Sequence, residues 1–297
     1  MAATNQPQLP LLVDGNSDPA VAAAVGVPRK QRELTFWFSL VWLVLIIAFA
    51  IFVGVLPLPD SNNVGQALMT KPLQGPSLHH LLGTDSLGLD VLGEIGYGAR
   101  VTLIVGAGGA LFGCGVGGLI GIVAGYVGGP LDAVIGFFND SLMAFPALIL
   151  LMALAVILKP SVATITLALG ILAMPGFVRL ARANALRARS LEYVAAARTL
   201  GAGQRRILFR EILPNVIPPL LPMIFITAAY LAVAEASLSF IGMGIQRPTP
   251  TWGNMIDAGQ QYINTDPLVV FAPAVFLCLT VLAGYFVGQY LQRRWEA

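Results

Sequence analysis

The chain has 297 residues, of which 57% are hydrophobic and 11% charged. Soluble domains carry about 25% charged residues, so a water-solvated globule is excluded, and a formal net charge of +2 is too small to argue for nucleic-acid binding. Several apolar runs reach the roughly 20 residues an α-helix needs to cross about 30 Å of hydrocarbon. Lipid offers the backbone no hydrogen-bond partner, and continuous runs lack the alternation of a barrel strand. The expected fold is therefore an all-α polytopic membrane protein.

Residues 1–34 are rich in Pro, Ala, Asn and Asp and end in Arg29, Lys30 and Arg32; this composition predicts a disordered tail. Residues 35–297 are expected to form one transmembrane domain with six spans, at about 36–56, 101–126, 131–158, 161–181, 216–241 and 268–291. The first apolar run is too long for a signal-peptide core and lacks an A-x-A-like site, so it reads as an uncleaved span. The segment 57–99 between the first two spans is read as an extracytoplasmic loop. Along the second span, Gly109, Gly113, Gly117, Gly121 and Gly125 line one helix face with residues that let another helix approach closely; the other reading is a glycine-lined pathway. Cys114 and Cys278 lie inside apolar runs and read as small core residues, not a disulfide framework.

Basic residues set the orientation. With the N-terminus inside, the tail, the C-terminal Arg293 and Arg294, and the loop between spans four and five lie on one side. That loop carries Arg179, Arg182, Arg187, Arg189, Arg198, Arg205, Arg206 and Arg210. Only Lys71, Arg100, Lys159 and Arg247 fall on the other, which predicts two cytoplasmic termini. The loop at 182–215 is basic yet full of helix formers. Ser190 is positioned to cap a helix over 191–200, Gly201 and Gly203 interrupt it, and a second short helix from Gln204 is expected to end at Pro214. A basic segment of this kind can rest on anionic headgroups. The run Ala195, Ala196 and Ala197 gives little grip on lipid and favours close entry into a protein groove.

The run EYVAAARTLGAGQRRILFREILPN, Glu192 to Asn215, resembles the EAA loop of binding-protein-dependent ABC importer permeases, with Ala196, Ala197, Gly201, Leu213 and Pro214 matching. Ala195 departs, since Glu or Gln is usual there. The resemblance implies that Glu192, Ala196, Ala197, Arg198, Gly201, Leu213 and Pro214 belong to a coupling helix and loop seated on an ATPase subunit. HLLGTDSLGLDVLGEIGYGAR, His80 to Arg100, looks like the extracytoplasmic signature of the second permease of peptide and nickel importers, carried by Gly83, Thr84, Asp85, Gly88, Asp90, Tyr97, Gly98 and Arg100. Leu89 and Glu94 stand where that family often has arginine. EASLSFIGMGIQRPTPTWG, Glu235 to Gly253, is similar to the same family's segment closing the fifth span. The resemblance implies a second permease subunit, one or two cytoplasmic ATPase subunits that bind ATP and Mg, and an extracytoplasmic substrate-binding protein. It also implies an inner-membrane location and short peptides as cargo, with nickel chelates, glutathione or another small solute as alternatives.

No GxxxxGK[ST] loop occurs and Lys30, Lys71 and Lys159 follow no glycine-rich run, so the chain is expected to bind no nucleotide itself. It is read as a transport subunit without a cofactor. Asp140 and Glu235 lie within apolar spans, where a carboxylate faces protein or water; each is a candidate for the pathway or for helix packing. His79 and His80 with Asp85 and Asp90 lack metal-ligand spacing, so no metal is expected. An ion-driven carrier would need an internal repeat and clustered intramembrane charges, and a membrane enzyme a nucleophile and base; neither pattern is found.

Overall fold

The computed structural model describes residues 29–56, 58, 70–157 and 159–296. Most of the predicted tail, residues 1–28, and residues 57 and 59–69 of the loop 57–99 lie outside the described residues. All helices and spans below are among the described residues, and all regular secondary structure there is helical. The helices are α1 (Arg29–Phe52), α2 (Val91–Phe112), α3 (Gly118–Val127), α4 (Gly129–Ala144), α5 (Ala147–Ile157), α6 (Val162–Arg189), α7 (Glu192–Thr199), α8 (Leu213–Phe240), α9 (Trp252–Gly259) and α10 (Leu268–Glu296). A π-helical turn, Gly113–Gly117, joins α2 to α3, and Gln204–Arg206 followed by a second π-helical stretch, Ile207–Ile212, leads into α8. Five uninterrupted helices are long and apolar enough to cross a membrane: Glu33–Phe52, Val91–Val127, Val162–Arg189, Gln204–Phe240 and Leu268–Trp295.

The element boundaries differ from the sequence expectation for identifiable reasons. The helix of the first span begins at Arg29, inside the predicted tail. The second begins at Val91, ten residues before the apolar run, because Asp90 caps it by accepting from the Gly93 amide at 2.8 Å. Tyr97, Gly98 and Arg100 therefore belong to a helix and not to the loop. The predicted third span, 131–158, is two helices: Phe145 is extended (φ −84°, ψ 131°) because Pro146 disfavours the helical conformation in the residue before it. α6 runs on to Arg189, and α10 to Glu296. Ser190 caps no helix start; its hydroxyl donates back to the Arg187 carbonyl at 2.8 Å, and Leu191 occupies the N-cap of α7. Pro214 does not end a helix either. The Leu213 amide bonds to the Leu208 carbonyl, five residues back, and the widened turn takes the ladder past the proline, which has no donor to offer.

Small residues set the packing. A Cβ built on Gly117 would lie 2.7 Å from the Met174 carbonyl, and on Gly125 2.5 Å from the Arg182 carbonyl, while one on Gly121 would collide with the Val178 carbonyl. Gly113 abuts Gly170 and Ala173, and Gly109 abuts Thr166 and Leu231. The glycine stripe thus lies on α6, residue by residue in the same direction, so α2–α3 and α6 run parallel. Gly106 abuts Ala228 and Ala232 of α8, and Gly284 and Gly288 of α10 abut Phe225 and Pro222 of the same helix, both in antiparallel sense. Phe36 of α1 stacks on Tyr290 of α10 at 4.1 Å, and Trp42 Nε1 donates to Thr280 Oγ1 at 3.1 Å. The start of α1 and the end of α10 therefore share one end of the bundle.

Candidate functional site

The segment from Arg187 to Val216 forms a compact platform at that same end. α7 is short, and one buried side chain, Val194, anchors it. Val194 packs with Ala185 and Ala188 of α6, Ile207 and Ile212 of the π-helical stretch, and Val216 of α8. Tyr193 Oη donates to the Glu211 carbonyl at 3.4 Å and accepts from Asn215 Nδ2 at 3.3 Å. Beneath the loop, Arg189 Nη1 donates to the carbonyls of Gly125 and Tyr126 at 3.2 and 3.3 Å, placing a cation on the C-terminus of α3 where the helix dipole favours it. Tyr126 Oη donates to the Gln204 carbonyl at 3.2 Å. α7 is thereby fixed to the ends of α3, α6 and α8 together.

Gly201 closes α7. The Ala202 amide bonds to the Ala197 carbonyl and the Gly201 amide to Arg198, both at 3.0 Å, which is the Schellman arrangement. It requires the left-handed conformation that Gly201 adopts, φ +79°. Ala197 and Ala202 are half-buried against the apolar cluster below. Outward, Glu192, Ala195, Ala196 and Arg198 are exposed, Leu200 is 87% exposed and Phe209 61%. Arg205, Arg206, Arg210 and Pro214 are also exposed, and Leu213 is half-buried. The platform thus exposes small residues of α7, two large apolar side chains and several arginines. Such a surface leaves apolar area in water until another protein covers it.

At the opposite end the segment read from the sequence as an extracytoplasmic signature folds into a buried polar cluster. Gly83 and Gly88 both take φ +82°, which turns the chain so that Thr84 and Asp90 bridge. Thr84 Oγ1 donates to the Lys71 carbonyl at 3.0 Å and accepts from the Gln74 amide at 2.9 Å. Asp85 Oδ1 accepts from the amides of Leu87 and Leu89, each at 2.8 Å, and its other oxygen accepts from Arg247 Nη1 at 2.7 Å. Arg247 Nη2 also lies 3.4 Å from Glu94 Oε1. Burial acts against the Arg247 charge, but Glu94 and Asp85 outweigh it and hold the guanidinium above its usual range. His80 Nδ1 lies 3.0 Å from Asp90, and His79 points to solvent; no group of three metal-ligating side chains occurs among the described residues. Gly98 lies under Trp252, whose Nε1 donates to the Ile95 carbonyl at 3.1 Å. Arg100 donates to the carbonyls of Ala50 and Ile51 at 3.0 and 3.2 Å, and so caps α1.

The two candidate acids separate. Glu235 is fully buried, accepting from Thr102 Oγ1 at 3.1 Å and Ser239 Oγ at 2.7 Å, and Ser239 in turn accepts from the Ile245 amide at 3.2 Å. It ties α2, α8 and the loop after α8; Ser237 instead donates to the Val233 carbonyl at 2.8 Å. Asp140 is 72% exposed and pairs with Arg179 at 3.2 Å. Next to it Asp132 holds Arg182, whose Nη2 donates to Oδ2 at 2.7 Å. Arg179 and Arg182 are thus helix partners of α4 and not loop residues. The sequence reading missed Arg247 as the partner of Glu94. Its available signal was a carboxylate in place of a usual arginine, which needs a cation from elsewhere once buried.

Residues 117–297 match the family described as the binding-protein-dependent transport system inner membrane component. The chain is 34% identical over 287 residues to a di/tripeptide transport system permease protein of Pseudomonas aeruginosa, covering 92% of this chain and 94% of that one. It is 34% identical over 258 residues to a dipeptide transport system permease protein of Alkalihalophilus pseudofirmus, covering 86% and 84%. A glutathione transport system permease protein of Pectobacterium atrosepticum is 35% identical over 251 residues, covering 84% and 83%. With its membrane-spanning helices and the platform built on three of their ends, the chain belongs to the inner-membrane permeases of binding-protein-dependent transport systems.

Proposed function

We propose that this chain forms half of the translocation pathway of an ATP-driven importer of short peptides, with a second permease chain supplying the other half. Cytoplasmic ATPase subunits bind ATP and Mg, and an extracytoplasmic binding protein delivers the cargo. The observation that carries the reading is the α7 platform: an exposed ridge of Ala195, Ala196 and Leu200 locked by Val194 and Gly201 to the fourth and fifth spans. Closure of the ATPase dimer on that ridge moves the platform ends of those spans together, and the pathway opens alternately to the two sides. Both termini are cytoplasmic in this arrangement, on the side of the platform and its arginines, and α4 with α5 completes a sixth crossing bent at Phe145. Glu235 serves as a packing residue. Asp140, exposed with Arg179, is the acid left for the pathway. Peptide cargo follows the names of the relatives, and the glutathione permease among them makes that tripeptide the second cargo.

The test is reconstitution in vesicles of the four components with radiolabelled dialanine and, separately, labelled glutathione. Uptake should require ATP, the ATPase subunits and the binding protein together. Uptake by this chain alone, driven by a proton or sodium gradient, would overturn the reading.

A further inference from the structure

Three helices that touch one another lose the regular α-helical ladder at the same depth. In the second span it is the π-helical turn Gly113–Gly117. In α6 it is Pro175, and in α8 it is Pro218, Pro219 and Pro222. A proline donates no hydrogen bond to the carbonyl four residues back, so Ile171, Pro214, Asn215 and Pro218 each lose that partner within the helix. These breaks are neighbours in space. Gly113 abuts Ala173 and Phe177, Gly117 abuts Met174, Gly118 abuts Leu220, and Gly176 abuts Met223. Cys114, Phe177, Leu220 and Met223 pack in one apolar cluster.

On either side of this layer the molecule is cross-tied. Toward the platform, Arg189 bonds to α3, Tyr126 to Gln204, and Val194 packs on α6 and α8. Toward the other end, Glu235 joins α2 to α8, and Arg247 joins the loop after α8 to Asp85 and Glu94. Within the layer the neighbours are glycines, Ala173, Cys114, Phe177, Leu220 and the flexible side chains of Met174 and Met223, with no charged side chain among them. Helices bend at prolines and π-turns because the ladder is already open there.

We infer that Gly113–Gly117, Pro175 and Pro218–Pro222 form one flexing layer, about which the platform half of the second, fourth and fifth spans swings against the cross-tied outer half. This rests on the importer reading for the source of the force. It assigns to four prolines and a glycine turn the task of converting motion of α7 into motion of the pathway.

The experiment uses the complete transporter in lipid nanodiscs. Amide hydrogen exchange is compared between the nucleotide-free state and the state with a non-hydrolysable ATP analogue. Exchange should change at 113–118, 171–179 and 214–223 and stay constant at 102–109 and 228–236. In parallel, the triple substitution Pro218→Ala, Pro219→Ala, Pro222→Ala restores three donors. ATPase subunits should still bind and hydrolyse ATP, while import of dialanine falls about tenfold or more, as hinge changes act on turnover. A transporter that imports while all three segments stay silent to nucleotide, or whose triple variant imports at the unsubstituted rate, overturns the layer alone. Absence of ATPase binding to the unsubstituted chain would instead remove the importer reading.

Discussion

Replacing Gly201 separates backbone conformation from steric fit. Its φ is +79° and no heavy atom lies within 4 Å of a Cβ placed there, so a side chain meets open space and the cost is conformational alone. For an L-residue the left-handed region costs about 1–2 kcal/mol. That lowers the population of the closed α7 turn about 5- to 30-fold. Asn tolerates this region and should lose least, Ala more, and Val, with its branched Cβ, most. Gly203 is the internal control, because it too has open space around its Cβ but sits at φ −67°, where Ala costs nothing sterically. Binding of each variant to the purified ATPase subunit, with membrane insertion measured beside it, should rank Gly203→Ala with the unsubstituted chain, then Gly201→Asn, Gly201→Ala and Gly201→Val. Equal binding by Gly201→Val, or a Gly203→Ala as damaging as Gly201→Val, would refute the assignment of the turn.

Other substitutions test the remaining parts. Gly121→Leu should prevent α3 from docking on α6, since even a Cβ collides with the Val178 carbonyl, whereas Gly136→Ala on α4 meets open space and should leave thermal stability in detergent unchanged or slightly raised. Arg247→Ala leaves the buried Asp85 carboxylate without its cation and should cost about 3 kcal/mol of stability; adding Asp85→Asn should return part of that loss. Asp140→Asn breaks an ion pair exposed on both sides, worth about 0–1 kcal/mol, so its unfolding temperature should hold; a fall in dialanine uptake at equal expression would then report a role in the pathway.

Much of the fold is written in residue types whose effect is local. Apolar length marks the spans, and a glycine every fourth residue marks the face of the second span that lies on α6. Gly201 marks the helix stop because few other residues accept its φ. What the sequence conceals depends on partners distant in the chain. Hydropathy starts the second span at Val101 because Glu94 and Arg100 interrupt the apolar run, yet Arg247 lies beside Glu94, the carbonyls at the end of α1 accept from Arg100, and the helix begins at Val91. Pro214 reads as a stop from its missing donor, but the π-helical stretch before it shifts the ladder by one residue and the helix continues. Asp140 and Glu235 look alike as acids in apolar spans. Only the positions of Thr102, Ser239 and Arg179 separate a buried strut from an exposed ion pair.

The central claim is that force from ATP hydrolysis in other polypeptides enters through α7. Its most direct test is a photo-crosslinking side chain at Ala196, which is exposed, activated in the assembled transporter with and without nucleotide. The account predicts an adduct with the ATP-hydrolysing subunit, shielded from the extracytoplasmic side. Adducts formed only with lipid or with the substrate-binding protein would contradict it.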